Sequence, residues 1–505
     1  MTTITGPTSK AEHAGRPLSV RLAPFARWPV ISAALALAVT LVVVAGQYGY
    51  HRDELYFRML PPAWGYVDQP PLTPLLARVF SEVVADEVWA LRIPATVFAV
   101  ASVLVVALIT REVGGGALAQ GLSAWGYAFA SITLSMGHVF LTASLDLLVW
   151  PAVILAAIRA LLRGHGWWWC VAGVIAGLSL YNKYLIVMLL VSLAIGLLVV
   201  GPRRVLWSKW VLGAVGLSLV IGLPNLVYQA VNGWPQLAMG AALSSHNGDE
   251  VRVMMWPFLL LMLGPPLVLF WVAGLVALAR RRRWRPIRFL VVAFPVLLAL
   301  VWIAGAQFYY PYGMLAVLYA IGCVPVAEFA LRARWRKALV VGAIVLNSLV
   351  CAAISLPFVP LGVLGATPIP AINAATPDQV GWSTYVSQVD RVAERFNDGR
   401  DVVILASNYG EAGALARFGA PDQPAVFSGH NALHSLGPPP PTARNAIVVG
   451  AMLPQVAGYF STCTIVDRLS NDVGVENEEE GQPIAVCLGR LEEWDTIWPS
   501  LKHLD

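Results

Sequence analysis

Residues 28–57 read WPVISAALALAVTLVVVAGQYGYHRDELYF. Nothing from Ile31 to Gly46 is charged, and then His51, Arg52, Asp53 and Glu54 follow in a row. With its flanks the apolar run reaches the roughly 20 residues that a helix needs to cross a bilayer. Lipid offers no partner for backbone N–H and C=O groups, so such a run must close its hydrogen bonds internally, as a helix. A cleaved signal peptide is the alternative, because Arg16, Arg21 and Arg27 precede the run.

The rest of the chain repeats the pattern. Of 505 residues, 58% are hydrophobic and 12% charged, against about 25% charged in soluble domains. Apolar stretches near 28–48, 88–110, 117–136, 139–162, 167–182, 184–201, 210–230, 253–279, 287–305, 308–328 and 338–357 predict about eleven spans. The fold class is therefore mainly α, a polytopic helix bundle in the lipid bilayer. The net charge of +5 does not point to nucleic acid, since no basic face is interleaved with aromatics. Cations gather instead in alternate loops. Arg111, Arg159, Arg163, Arg203, Arg204, Lys209, the Arg280–Arg288 cluster and Arg332–Lys337 fall on the side of the N-terminus with Lys10, Arg16, Arg21 and Arg27. The opposite loops hold only Arg52, Arg58, Arg78, Arg92, Lys183 and Arg252. The positive-inside rule then predicts a cytoplasmic N-terminus, and an odd number of spans puts the C-terminus outside the plasma membrane.

Three parts follow: a cytoplasmic segment at 1–27, a membrane domain at 28–357 and an extracytoplasmic domain at 358–505. The last has charges, turns and short β-rich runs at 402–405, 446–449 and 464–466, with helices expected at 384–397 and 409–418, which is an α/β pattern. Cys170, Cys323 and Cys351 lie in apolar runs and read as small packing residues. Cys463 and Cys487 fall in the oxidising compartment, on two strand-like segments joined by an acidic loop, and are expected to form a disulfide.

The loop after the first span continues through Asp68-Gln69-Pro70-Pro71-Leu72. Adjacent acids at a membrane boundary are costly unless they are used or paired. A solvated loop with an Arg52–Asp53 pair is the bland reading. The Asp-Glu just past the first span, the following aromatic and the downstream Pro-Pro-Leu resemble the first outer loop of GT-C glycosyltransferases, nearest to families 39 and 83. These include protein O-mannosyltransferases and the aminoarabinose transferases acting on lipid A. The resemblance covers roughly residues 28–330. It departs at Gln69, where many relatives carry lysine.

The resemblance implies a polyprenyl-phosphate sugar as donor and a cell-envelope acceptor. It makes Asp53 the general base, a role that suits a carboxylate ionised at neutral pH, with Glu54 beside it and Asp146 as a further catalytic acid. It places His51, Tyr56, Asp68, Gln69, Lys183, Arg252, Tyr309 and Tyr310 around the donor, Lys183 as a phosphate contact and the tyrosines in the cavity wall; His246 and Arg252 are weaker phosphate candidates. It also raises a divalent metal ion, for which His51 and Glu54 would be ligands. Ser407–Gly413 and Ser428–Asn431 resemble the extracytoplasmic tail of some bacterial family-39 relatives. No nucleotide-binding glycine loop is present. The rival expectation is a transporter or lipid flippase, but no internal repeat of the kind transporters carry is visible.

Overall fold

The computed structural model describes residues 22–396 and 401–504. Lys10, Arg16 and Arg21 of the expected cytoplasmic segment lie outside the described residues. Each apolar stretch is helical, and the chain is a multi-pass membrane protein. Among the described residues, seven helices are long and apolar enough to cross a membrane: Arg27–Val44, Val88–Glu112, Thr142–Arg163, Lys209–Val231, Arg282–Ile303, Tyr312–Ala330 and Arg334–Ser355. The other four stretches are built differently. Trp167–Ser179 and Ile186–Val199 are short helices. The expected 117–136 span is divided into Ala117–Ala128 and Ser131–His138.

The expected 253–279 span is a bent pair. Pro235–Leu261 and Pro265–Arg280 meet at 78°, with Gly264 at the break at φ +97°, where a side chain would be strained. The first arm begins in what reads as an outer loop. Its Ala, Leu, Met and Gln residues favour helix, but Ser244, Ser245, His246, Asn247, Asp249 and Glu250 hide it from a hydropathy reading.

Close helix contacts rest on small residues. Gly274 and Gly322 face each other between Val268–Arg280 and Tyr312–Ala330, and a methyl on either would overlap the partner's backbone. Lipid does not drive helices together, so such packing supplies much of the association. The first span belongs to the bundle, since Val30, Leu37, Leu41 and Val44 are fully buried in its core.

The tail is an α/β unit. Its strands are β1 (Val402–Ala406), β2 (Val426–Phe427), β3 (Asn445–Val449), β4 (Phe460–Arg468) and β5 (Pro483–Arg490), in the order β2-β1-β3-β5-β4. β1 is parallel to β2 and β3; β5 is antiparallel to β3 and β4. Cys463 and Cys487 face each other across β4 and β5 and are bridged, with Cα atoms 4.1 Å apart. Helices Trp382–Phe396 and Tyr409–Phe418 flank the sheet.

The tail is not a separate bead. One continuous core joins Tyr50, Leu55, Tyr56 and Phe57 of the loop after the first span to Trp382, Tyr385, Ala412 and Leu415 of the tail. Gly413 lies against the backbone of Leu55, where a Cβ would come within 2.8 Å of the Leu55 carbonyl carbon. The helix carrying the loop acids is thereby seated directly on the tail helix.

Candidate active site

The loop acids sit on a short helix, Arg52–Met59, whose start is fixed twice over. The His51 ring accepts a hydrogen bond from the Asp53 amide at 3.1 Å. The Glu54 carboxylate accepts one from the His51 amide at 2.8 Å. This reciprocal cap satisfies two amides that a helix otherwise leaves open. Successive residues on a helix point about 100° apart, so Asp53 and Glu54 need not share a face.

They do not. Asp53 lines a cavity of about 1220 Å³, and its side chain remains 30% exposed. Glu54 is turned into the protein and fully buried. It pairs with Arg92 at 2.9 and 3.0 Å and accepts the Phe140 amide at 2.8 Å. Every oxygen of Glu54 is therefore engaged in structure, and the expectation of a catalytic Glu54 is corrected: it positions the loop. Arg92 also donates to the carbonyls of Ala45 and Gly49 and to Gln379 of the tail. One buried guanidinium thus ties the end of the first span, the loop and the tail together.

The cavity brings together most of the residues expected from sequence. His51, Tyr56, Asp68, Gln69, Lys183, Tyr309 and Tyr310 line it, as does His246. Its lining also includes apolar side chains such as Met188, Leu226, Leu237 and Phe258. Lys183 lies over the Tyr310 ring, 4.5 Å from its centroid. Burial alone would lower the Lys183 pKa, but Tyr309, Tyr310 and Asp146 together raise it. Asp146 is not in the main cavity wall. It sits behind Tyr309 and Tyr310 in a small adjoining cavity with Trp150 and Tyr312, and Lys183 is the charge that acts on it. Arg252 is also outside the wall. It pairs with Asp249 one helical turn away and donates to the Trp302 carbonyl of the neighbouring helix Leu290–Ile303.

Asp68 lies in the same cavity wall. Desolvation pushes its carboxyl up to about 7, against hydrogen bonds from its own amide and from Tyr56, with the charge of Asp53 adding to the rise.

The sequence reading singled out Ser407–Gly413 and Ser428–Asn431 but assigned no tail side chain to the site. Asp378, Asn408, Tyr409, His430, Asn431 and Glu478, all from the tail side, also line the cavity. His51 Nε2 faces Asp378 at 3.4 Å. Although burial would lower its pKa, the hydrogen bond to Asp378 and the charges of Asp53, Asp378 and Glu54 raise it. Arg52 pairs not with Asp53 but with Glu478, at 2.5 Å. Asp53 Oδ1 accepts from the Tyr409 hydroxyl at 3.0 Å. The signal that was available is the cluster Ser407–Gly413, whose Asn408 caps the helix that Tyr409 begins.

The metal expectation does not fit these residues. His51 uses both ring nitrogens on Asp53 and Asp378, and Glu54 is held by Arg92. Among the described residues, no three His, Cys, Asp or Glu side chains converge on one point.

Comparison with known proteins follows the same lines. A family model for dolichyl-phosphate-mannose-protein mannosyltransferases matches residues 68–228. The crystal structure of ArnT from Cupriavidus metallidurans bound to undecaprenyl phosphate superposes with a TM-score of 0.55 at 13% identity, over 90% of this chain and 97% of that one. Its apo form gives 0.54, with the same identity and coverage. The chain has the GT-C membrane fold. No curated protein sequence matches it. Within the GT-C fold, the helix bundle provides the aromatic and Lys183 side of the cavity, and the tail supplies the wall that meets Asp53.

Buried acids also mark the contact of loop and tail. Glu411 is pushed up to about 8, first by desolvation and then by the charge of Glu479; Glu479 itself rises to about 7, mainly by desolvation. A carboxyl whose pKa is higher in the folded protein holds its proton there while the unfolded chain has lost it. Stability therefore falls as pH rises from about 4.5 to 8. The melting temperature in detergent should drop by several degrees across that range. Glu411→Gln should flatten the drop, and an unchanged slope would place the titrating groups elsewhere.

Proposed function

We propose that this protein is a glycosyltransferase that moves a sugar from a polyprenyl-phosphate donor to a hydroxyl of a cell-envelope acceptor, at the outer face of the plasma membrane. The observation that carries the reading is the composition of one cavity: a carboxylate, Asp53, faces a space that also holds Lys183, the tyrosine pair and an apolar wall. A lipid-linked donor needs these groups together. The apolar wall takes the prenyl chain, and Lys183 meets the phosphate. The undecaprenyl phosphate bound by ArnT gives the same donor chemistry by likeness of fold.

In this scheme the acceptor O–H gives its proton to Asp53 as its oxygen attacks the anomeric carbon. The bond from that carbon to the phosphate oxygen breaks, and polyprenyl phosphate leaves with the electron pair. Its growing negative charge is met by the Lys183 ammonium, a preformed electrostatic partner. Asp146 supports Lys183 from behind the tyrosines. The reading covers transfer of a hexose or of a pentose.

The polar residues gather at one end of the bundle. No residue of the arginine-rich segments Arg280–Arg288 and Arg332–Lys337 lines the cavity, which favours a one-sided enzyme over a transport path. The same charge bias supports a cytoplasmic arginine-rich face and an outer tail. A reporter active only outside the cytoplasm should work when fused after Asp505, and one active only in the cytoplasm when inserted near Arg283. The reverse pattern would remove the basis for an outer-face donor.

Lys183→Ala should raise the KM for the donor about tenfold or more while changing the KM for acceptor little, because the lost partner is an anion. Equal effects on both would return Lys183 to an interfacial anchor. The broader test compares envelope glycans and lipids by mass spectrometry in cells with and without the gene: one sugar modification should vanish and its lipid-linked precursor accumulate.

A further inference from the structure

We propose that the tail domain is a working part of the active site, and that Tyr409 is the positioning residue for Asp53. The proposal rests on Asp53 being the base. Three successive loop residues each meet a different tail-side partner: His51 meets Asp378, Arg52 meets Glu478, and Asp53 meets Tyr409. Three positions on, Tyr56 accepts the Ala432 amide at 3.2 Å. Such serial pairing fixes the helix Arg52–Met59 in rotation as well as in position.

Tyr409 is itself held on every side. It is the first residue of the helix Tyr409–Phe418, which Asn408 and Glu411 cap reciprocally. Its amide donates to His430 Nδ1 at 3.2 Å. Its ring packs on Tyr56 and His430, with centroids 4.8 and 4.7 Å away, and lies under the Arg52 guanidinium at 4.9 Å. The hydroxyl has little freedom left, so its hydrogen bond to Asp53 Oδ1 aims the carboxylate. A carboxylate has two oxygens. With Oδ1 taken by Tyr409, Oδ2 remains to accept the acceptor's proton. Pre-orienting the base in this way removes motions that would otherwise cost rate.

Tyr409→Phe keeps the ring contacts and deletes only the hydroxyl. With the polyprenyl-phosphate sugar fraction extracted from the source membranes as donor, kcat should fall about tenfold or more, while the donor KM and the melting temperature stay as in the parent. A fall in melting temperature with both constants altered, or no change in kcat, would overturn the positioning role. Asp53→Asn in the same assay separates the two claims. If it retains full turnover, the base assignment fails; if it is inactive while Tyr409→Phe is normal, only the proposal fails. A second readout needs no turnover. In infrared spectra of isotope-labelled tyrosine, the C–O stretch missing from Tyr409→Phe should have the position of a phenol donating to a carboxylate, and it should move in Asp53→Asn. A band insensitive to Asp53 would contradict the contact.

Discussion

Asp53→Asn should abolish sugar transfer, with a loss of about 10²–10⁴-fold in kcat, the usual worth of a general base. The substitution is nearly isosteric, and Asp53 is the loop acid that faces the cavity with part of its side chain exposed. The helix cap uses its amide, not its carboxylate, so folding should be spared. The loss should therefore appear in turnover at normal protein yield and melting temperature. Retention of near-parental turnover would show that the proton goes to another group, and Asp68, in the same cavity with a pKa of about 7, would become the candidate.

Arg92→Leu should act through structure and just as strongly. The guanidinium and the Glu54 carboxylate are 1% and 0% exposed. Removing one member of a buried ion pair leaves the other charge without compensation, which costs about 3–5 kcal/mol. Arg92 also satisfies carbonyls at Ala45 and Gly49, so those groups lose their donor too. Little folded protein should accumulate, measured as the monodisperse fraction after detergent extraction. The double variant Arg92→Met with Glu54→Gln removes both charges and should recover part of the yield. If Arg92→Leu accumulates normally, the buried pair is not what holds the loop.

How much of this was legible in sequence follows from what each feature depends on. The bundle was legible because lipid enforces long apolar runs, each read locally. The bent arm Pro235–Leu261 was not, because its polar residues interrupt the apolar run: His246 and Asn247 line the cavity, and Asp249 is fully exposed. Asp53, Lys183, Tyr309 and Tyr310 could be picked out because polar groups at a membrane boundary are rare and costly. The adjacency of Asp53 and Glu54 misled, because the pairing of Glu54 with Arg92 and the Phe140 amide, which turns it inward, joins residues distant in the chain. Asp146 and Arg252 were placed near the donor by their span ends, yet the height of a residue along a helix does not fix the direction in which it points. Tyr409 is 356 residues from Asp53. No local pattern encodes a pairing across that distance; it exists only once Gly413 has let the tail helix settle on Leu55.

The most direct measurement takes the purified full-length protein in lipid nanodiscs, adds the polyprenyl-phosphate sugar fraction and an envelope extract, and follows the lipids by mass spectrometry. The account predicts release of sugar-free polyprenyl phosphate matched by a new glycosylated product, absent with Asp53→Asn. Donor that remains intact, or that crosses the bilayer of a reconstituted vesicle without losing its sugar, would contradict it.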